Sequence, residues 1–167
     1  MPKEPLILLV DDREDDAVLV SLAFERAKVD SALQVVRNGE EAIAYLAGEG
    51  PFANRAEFPL PWLVLLDLKM PRVDGFEVLK WIRQKSACKS LVVVVLTSSE
   101  QIRDVNKAYE LGANSFMVKP FDFHDATGLA SLIQQYWLQW NRFPELHRQL
   151  KPPKLENGNG LNGGKHG

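Results

Sequence analysis

The sequence contains a single cysteine, Cys88, in 167 residues. No internal disulfide can form, so a reducing compartment is the natural one, and Cys88 reads as a small buried or half-buried side chain. Long apolar runs are missing as well. The first, 6–10, is too short for a signal-peptide core and runs straight into Asp11-Asp12. No stretch reaches the roughly 20 residues that span a membrane. Charge of one sign is also lacking: 20 Lys and Arg stand against 22 Asp and Glu, a formal net charge of −2. That balance gives no general attraction to nucleic acid or to an anionic membrane. Finally, the glycine-rich turn that a dinucleotide needs after the first strand is absent, with Asp11-Asp12-Arg13 in its place. The expectation is a cytoplasmic protein that binds neither nucleic acid nor membrane.

What is present is the composition of a globular α/β protein, with 46% hydrophobic and 25% charged residues. Short apolar runs alternate with helical patterns. Strands are predicted at 6–10, 33–36, 62–66, 91–96 and 116–118. The first, third and fourth are apolar throughout, as parallel strands covered on both faces should be. Helices are predicted at 14–27, 39–47, 75–84, 99–111 and 123–141. Asn38 with Glu41, Asp74 with Glu77 and Ser98 with Gln101 each place a capping side chain three residues before an acid or amide. Asp122 with Asp125 is a weaker version, and Gly112 sits where a left-handed C-terminal cap belongs. Five β-then-α units imply right-handed crossovers and a doubly wound parallel sheet. One domain is expected over 1–146. Residues 48–61, rich in Gly and Pro, read as a surface loop. Residues 147–167, with their Gly and Asn repeats, read as a disordered tail.

Chemistry-bearing residues collect at one end of the predicted strands. Asp11 and Asp12 follow the first, Asp67 the third, Thr97 ends the fourth and Lys119 follows the fifth. In open parallel sheets ligands bind outside the carboxyl ends, where strand order reverses. Three carboxylates gathered there repel one another unless a cation sits among them. Their oxygens are hard ligands suited to Mg²⁺. Each residue alone has an ordinary explanation: a strand-end Asp often caps the next helix, and a Lys before Pro is often surface charge. Five suitable groups at the same end of four strands are another matter.

The motifs VDD (10–12), LLDLKMPRVDG (65–75), VLTSS (95–99) and VKPF (118–121) resemble the receiver domain of two-component response regulators, over residues 6 to 141. The resemblance implies a flavodoxin-like (βα)5 fold with strand order 2-1-3-4-5. It implies that Asp67 is the phosphoryl acceptor, phosphorylated by a histidine kinase, and that the protein signals rather than turning over a substrate. Asp12 and Asp67 would bind Mg²⁺ directly, with the Lys69 main-chain carbonyl as a further ligand and Asp11 acting mostly through a metal-bound water. Thr97 and Lys119 would hold phosphoryl oxygens, and the Lys119–Pro120 peptide would be cis. Thr97 and Phe116 would form the switch, with Phe116 lacking the hydroxyl of the commoner Tyr.

The last helix carries Leu129, Leu132, Ile133, Tyr136, Trp137 and Trp140 at steps of three and four, then Phe143. Leu129 to Ile133 are expected in the core, whereas the aromatic end suits an interface. A homodimer on the face of the fourth helix, fifth strand and last helix is expected, with Trp137, Trp140 or Phe143 contributing. No DNA-binding helix or enzymatic domain is legible after residue 150. The long loop and aromatic extension resemble single-domain regulators paired with cyanobacterial phytochrome-type kinases. A phosphatase of the haloacid dehalogenase type would need an acid where Lys69 stands. The remaining alternatives are a phosphorelay shuttle that passes the group to a histidine phosphotransfer domain, and a non-switching interaction module.

Overall fold

A computed structural model describes residues 4–85 and 87–147. Five strands, β1 (Leu6–Val10), β2 (Ala32–Val36), β3 (Leu63–Leu66), β4 (Val92–Thr97) and β5 (Ser115–Val118), pair in parallel in the order 2-1-3-4-5. This is the predicted flavodoxin-like topology. β1, β3 and β4 are buried along their whole length, and the edge strands β2 and β5 are only half covered. Because side chains alternate across a strand, the apolar runs feed two cores. Leu8, Val10, Val64, Leu66, Val93 and Val95 face one side. Ile7, Leu9, Leu63, Leu65, Val94 and Leu96 face the other.

The helices are α1 (Glu14–Arg26), α2 (Gly39–Ala47), α3 (Gly75–Gln84), α4 (Ile102–Glu110) and α5 (Phe123–Leu132). Asn38, Asp74 and Asp122 cap their helices as predicted, each carboxylate or amide oxygen accepting the backbone N–H three residues on. Ser98 does not. α4 begins three residues later than expected because Ser99 is turned inward: its hydroxyl donates to Asp104, and the Gln101 N–H approaches its oxygen at 3.4 Å. This side-chain turn competes with helix over 99–101. At the other end Gly112, at φ +100°, supplies the left-handed cap, with the Ala113 N–H bonded to the Ala108 carbonyl.

Residues 48–61 form the expected surface loop between α2 and β3, and the loop has structure of its own. A 3₁₀ turn (Gly50–Phe52) brings Phe52 against Tyr45 and Phe58. The Arg55 guanidinium donates to the carbonyls of Tyr45, Leu46 and Phe58 at 2.6 to 3.2 Å. Two of those carbonyls belong to the last turn of α2: the Tyr45 oxygen also accepts the Gly48 N–H at 3.2 Å, and Arg55 adds a donor to it and to the Leu46 oxygen. The Tyr45 hydroxyl in turn donates to the Pro59 carbonyl.

The final helix also departs from expectation. After Leu132 it widens into a π-helical segment, Ile133–Trp140, closed by the Asn141 N–H to the Tyr136 carbonyl. The change of winding divides the apolar stripe. Ile133 is buried and Trp137 packs on the second core, but Leu132, Tyr136 and Trp140 face solvent. The expected core role of Leu132 is therefore not met. Phe143 packs against the core too, its ring edge on Trp62 at 5.4 Å. His147 ends a 3₁₀ turn, Glu145–His147, and the rest of the expected tail lies outside the described residues.

Candidate functional site

The carboxyl ends of β1 and β3 deliver Asp11 and Asp67 side by side. The Asp67 N–H bonds to the Val10 carbonyl, which registers the two strand ends. Both carboxylates are buried, at 1% and 4% exposure, while Asp12 beside them is exposed. One oxygen from each of the three lies within 4.8 Å of the others. Three acids at that spacing form a hard-oxygen donor set that fits a divalent cation. Lys69, two residues past Asp67, donates its N–H to Asp67 Oδ1 at 3.3 Å, and its side chain is exposed.

Lys119 supplies positive charge to this set. Its Nζ lies 2.8 Å from Asp11 Oδ2, 2.8 Å from Asp16 Oδ2 and 2.9 Å from Asp67 Oδ2, with only 9% of the side chain exposed. The contacts to Asp16 and Asp67 are aligned hydrogen bonds. The one to Asp11 is an ion pair without that alignment. Burial works against the ammonium charge, but Asp11, Asp16 and Asp67 outweigh it and hold the Lys119 pKa above its usual 10.5. Asp11 is shifted up: burial dominates, assisted by the Asp67 charge and opposed by Lys119 and by the Arg13 N–H.

Thr97 ends β4 fully buried, and its hydroxyl oxygen has no hydrogen-bond partner. The Lys119 N–H bonds to the Thr97 carbonyl at 2.8 Å, tying the ends of β4 and β5 together. Phe116 pairs with Val95 and Thr97 with Val118, so Phe116 and Thr97 share a sheet face. Phe116 is half-buried there, against the first core. The Lys119–Pro120 peptide is trans, as are the other peptides among the described residues. The expected cis bond is absent: trans is the favoured isomer by roughly 0.5–1 kcal/mol, and the lysine reaches three carboxylates without it.

Asp16 is the member that sequence reasoning missed. In the acidic first turn of α1, with Glu14 and Asp15, it reads as a charge complementing the helix N-terminus. No local signal separates it from its two acidic neighbours; its contact with Lys119 spans 103 residues of sequence.

The comparisons with known proteins agree with this geometry. The model of the response regulator receiver domain matches residues 7–130. The chain is 41% identical to the probable methanogenesis regulatory protein FilR2 of Methanothrix harundinacea, over 83% of this chain and 87% of that one. It is 37% identical to the response regulator Rcp1 of Synechocystis, over 83% and 92%. The crystal structure of Rcp1 in its Mn²⁺-bound form superposes with a TM-score of 0.75 at 36% identity, covering 84% of this chain and 99% of that one. The phosphorylated cyanobacterial phytochrome response regulator RcpA superposes with a TM-score of 0.78 at 34% identity, covering 85% and 99%. With its acidic set, strand-end threonine and lysine all at the carboxyl edge of a 2-1-3-4-5 sheet, this chain belongs to the response regulator receiver domain family.

Proposed function

We propose that this protein is a single-domain response regulator that takes a phosphoryl group from a histidine kinase onto Asp67 and thereby switches a protein-interaction surface. The observation that carries the proposal is the convergence on Asp67: its Oδ2 lies 2.9 Å from Lys119 Nζ, and its carboxylate joins Asp11 and Asp12 within 4.8 Å. Asp11, Asp12, Asp67 and the main-chain carbonyl of Lys69 would hold Mg²⁺, in keeping with the Mn²⁺-bound form of Rcp1. When bound, the cation supplies neutralising charge for the phosphoryl oxygens.

The chain's own residues do the rest. An Asp67 oxygen forms the O–P bond as the donor's N–P bond breaks, and the electron pair leaves on the donor imidazole. Lys119 holds one phosphoryl oxygen and balances its charge, so the chain contributes positioning and electrostatics. The unpartnered Thr97 hydroxyl takes another oxygen. That movement vacates space on the sheet face shared with Phe116, and the ring turns in to fill it, without a phenolic hydrogen bond to report the state. Residues 1–146 act as the receiver. The likeness to RcpA, a cyanobacterial phytochrome response regulator, supports a phytochrome-type kinase as the partner and the cytoplasm as its place. The exposed Leu132, Tyr136 and Trp140 support a homodimer on the face of α4, β5 and the last helix, α5 with its π-helical continuation.

The test is radiolabelling by acetyl phosphate and by candidate phytochrome-type kinases in the presence of Mg²⁺. Wild type is expected to gain a base-labile label and Asp67→Asn none, with the fold intact by circular dichroism. Undiminished labelling of Asp67→Asn overturns the proposal.

A further inference from the structure

Lys119 has more partners than the proposed phosphoryl chemistry requires. Two of its three carboxylates, Asp11 and Asp67, belong to the donor set that a divalent cation would occupy. The third, Asp16, stands outside that set and comes from α1. A cation bound by the Asp11 and Asp67 carboxylates weakens their hold on the ammonium, because the two positive charges repel and draw on the same negative charge. Asp16 Oδ2, at 2.8 Å from Nζ and 31% exposed, offers the ammonium a partner that the cation does not claim. Arg13 Nε, 3.6 Å from the same oxygen, steadies that carboxylate from the solvent side.

We propose that Asp16 is a positioning residue: it retains the Lys119 ammonium at the edge of the site when a divalent cation takes Asp11 and Asp67. The use of that retained ammonium in binding a phosphoryl oxygen rests on the function proposed above. Its effect on cation binding does not. Releasing Asp67 from Lys119 is easier when the ammonium keeps one carboxylate than when it keeps none. Without Asp16 the ammonium has no carboxylate partner outside the cation's donor set, so its repulsion of the cation is greater and cation affinity falls.

Asp15 provides the control. It lies on the same exposed first turn and carries the same charge, and it takes part in none of the ion pairs found among the described residues. Mg²⁺ dissociation constants are to be measured by calorimetry on the full chain. Asp16→Asn is expected to weaken Mg²⁺ binding by about three- to fivefold, the scale of one partly exposed ion pair. Asp15→Asn should change it by less than about twofold, as a screened surface charge. In a Lys119→Met background the Asp16→Asn effect should vanish, because the competitor is gone. Equal losses for Asp15→Asn and Asp16→Asn, or the same loss with and without Lys119, make Asp16 a remote charge and overturn the proposal. If Lys119→Met does not fold, the comparison of Asp15→Asn with Asp16→Asn decides alone. Failure of wild type to take label from acetyl phosphate, with the calorimetric pattern as expected, removes the phosphoryl role of Lys119 and leaves its coupling to Asp16 standing.

Discussion

Replacing Gly75 with alanine should disturb the site from behind. Gly75 opens α3, and its N–H bonds to the Leu68 carbonyl at 2.9 Å, so the helix start is pressed against the turn that leaves β3. A Cβ on Gly75 would collide with the Asp67 carbonyl oxygen and lie 2.7 Å from the Leu68 Cα and 2.9 Å from the Asp67 carbonyl carbon. All three are backbone atoms, so no rotamer change relieves the contact. Overpacking of this kind costs about 1–3 kcal/mol. It is offset by alanine's helix preference, about 1 kcal/mol in a helix interior and less in a first turn. The net expectation is a loss of about 1–2 kcal/mol, near 1 M in the urea midpoint for a slope of about 1–3 kcal/mol per M. Relief can come only by moving Asp67 or α3, so Mg²⁺ affinity should fall with stability. Gly128 in α5 is the matched control. Its Cβ position is open, with nothing within 4 Å, so Gly128→Ala should stabilise by about 0.5–1 kcal/mol. A Gly75→Ala protein that unfolds at the wild-type urea concentration or above, with unchanged Mg²⁺ affinity, would refute the steric reasoning.

Arg55→Ala should cost about 2 kcal/mol in chemical denaturation, since it removes the donor to the Leu46 and Phe58 carbonyls and leaves the Tyr45 carbonyl with the Gly48 N–H alone; a loss under about 0.5 kcal/mol means the loop holds without it. Stability should fall as pH rises above about 10, because burial pushes the Tyr45 hydroxyl up to about 12, against the Arg55 charge, and the carboxylates hold Lys119 above its usual 10.5. Both groups keep protons in the folded protein that the unfolded chain has released, so unfolding becomes easier through that window; urea midpoints that stay flat from pH 9.5 to 11.5 contradict it. Trp140, 80% exposed, should carry a dimer and not the fold. Trp140→Ala should then weaken association by about 2 kcal/mol in sedimentation while leaving the melting temperature unchanged at concentrations where the wild type is monomeric, whereas Phe143→Ala should lower the melting temperature there through its contact with Trp62. A wild type that is monomeric at every concentration, with and without a phosphate mimic, rules the dimer out.

Local rules made much of the molecule legible in advance. The unbroken apolar runs ending in Val10, Leu66 and Leu96 identified the three interior strands, because only strands covered on both faces can bury every side chain. Asn38, Asp74 and Asp122 marked helix starts because an N-cap acts over three residues of sequence. Asp11, Asp12, Asp67, Thr97 and Lys119 were recognisable as one set because parallel strands end at one edge. Where two local signals competed, sequence was a poorer guide. Ser98 matched the capping pattern, yet its neighbour Ser99 found a partner in Asp104 and delayed α4.

Contacts between distant segments were decided only by the tertiary structure. Asp16 reaches Lys119 across 103 residues of sequence because α1 packs on α5, beside the turn after β5 that carries the lysine, and nothing local distinguishes it from Glu14 or Asp15. Arg83 looks like any charged helix residue. In the fold its guanidinium joins the carbonyls of Lys89, Leu91 and Gly112 and the Asn114 side chain, tying α3 to β4 and to the turn before β5. The aromatic stripe of the last helix was assigned with an α-helical period, and a change to π winding at Ile133 altered which residues share a face. Trp137 and Phe143 went to the core and Trp140 to the surface. A helical period follows from local sequence, but the winding that best covers a particular core depends on the shape of everything packed against it.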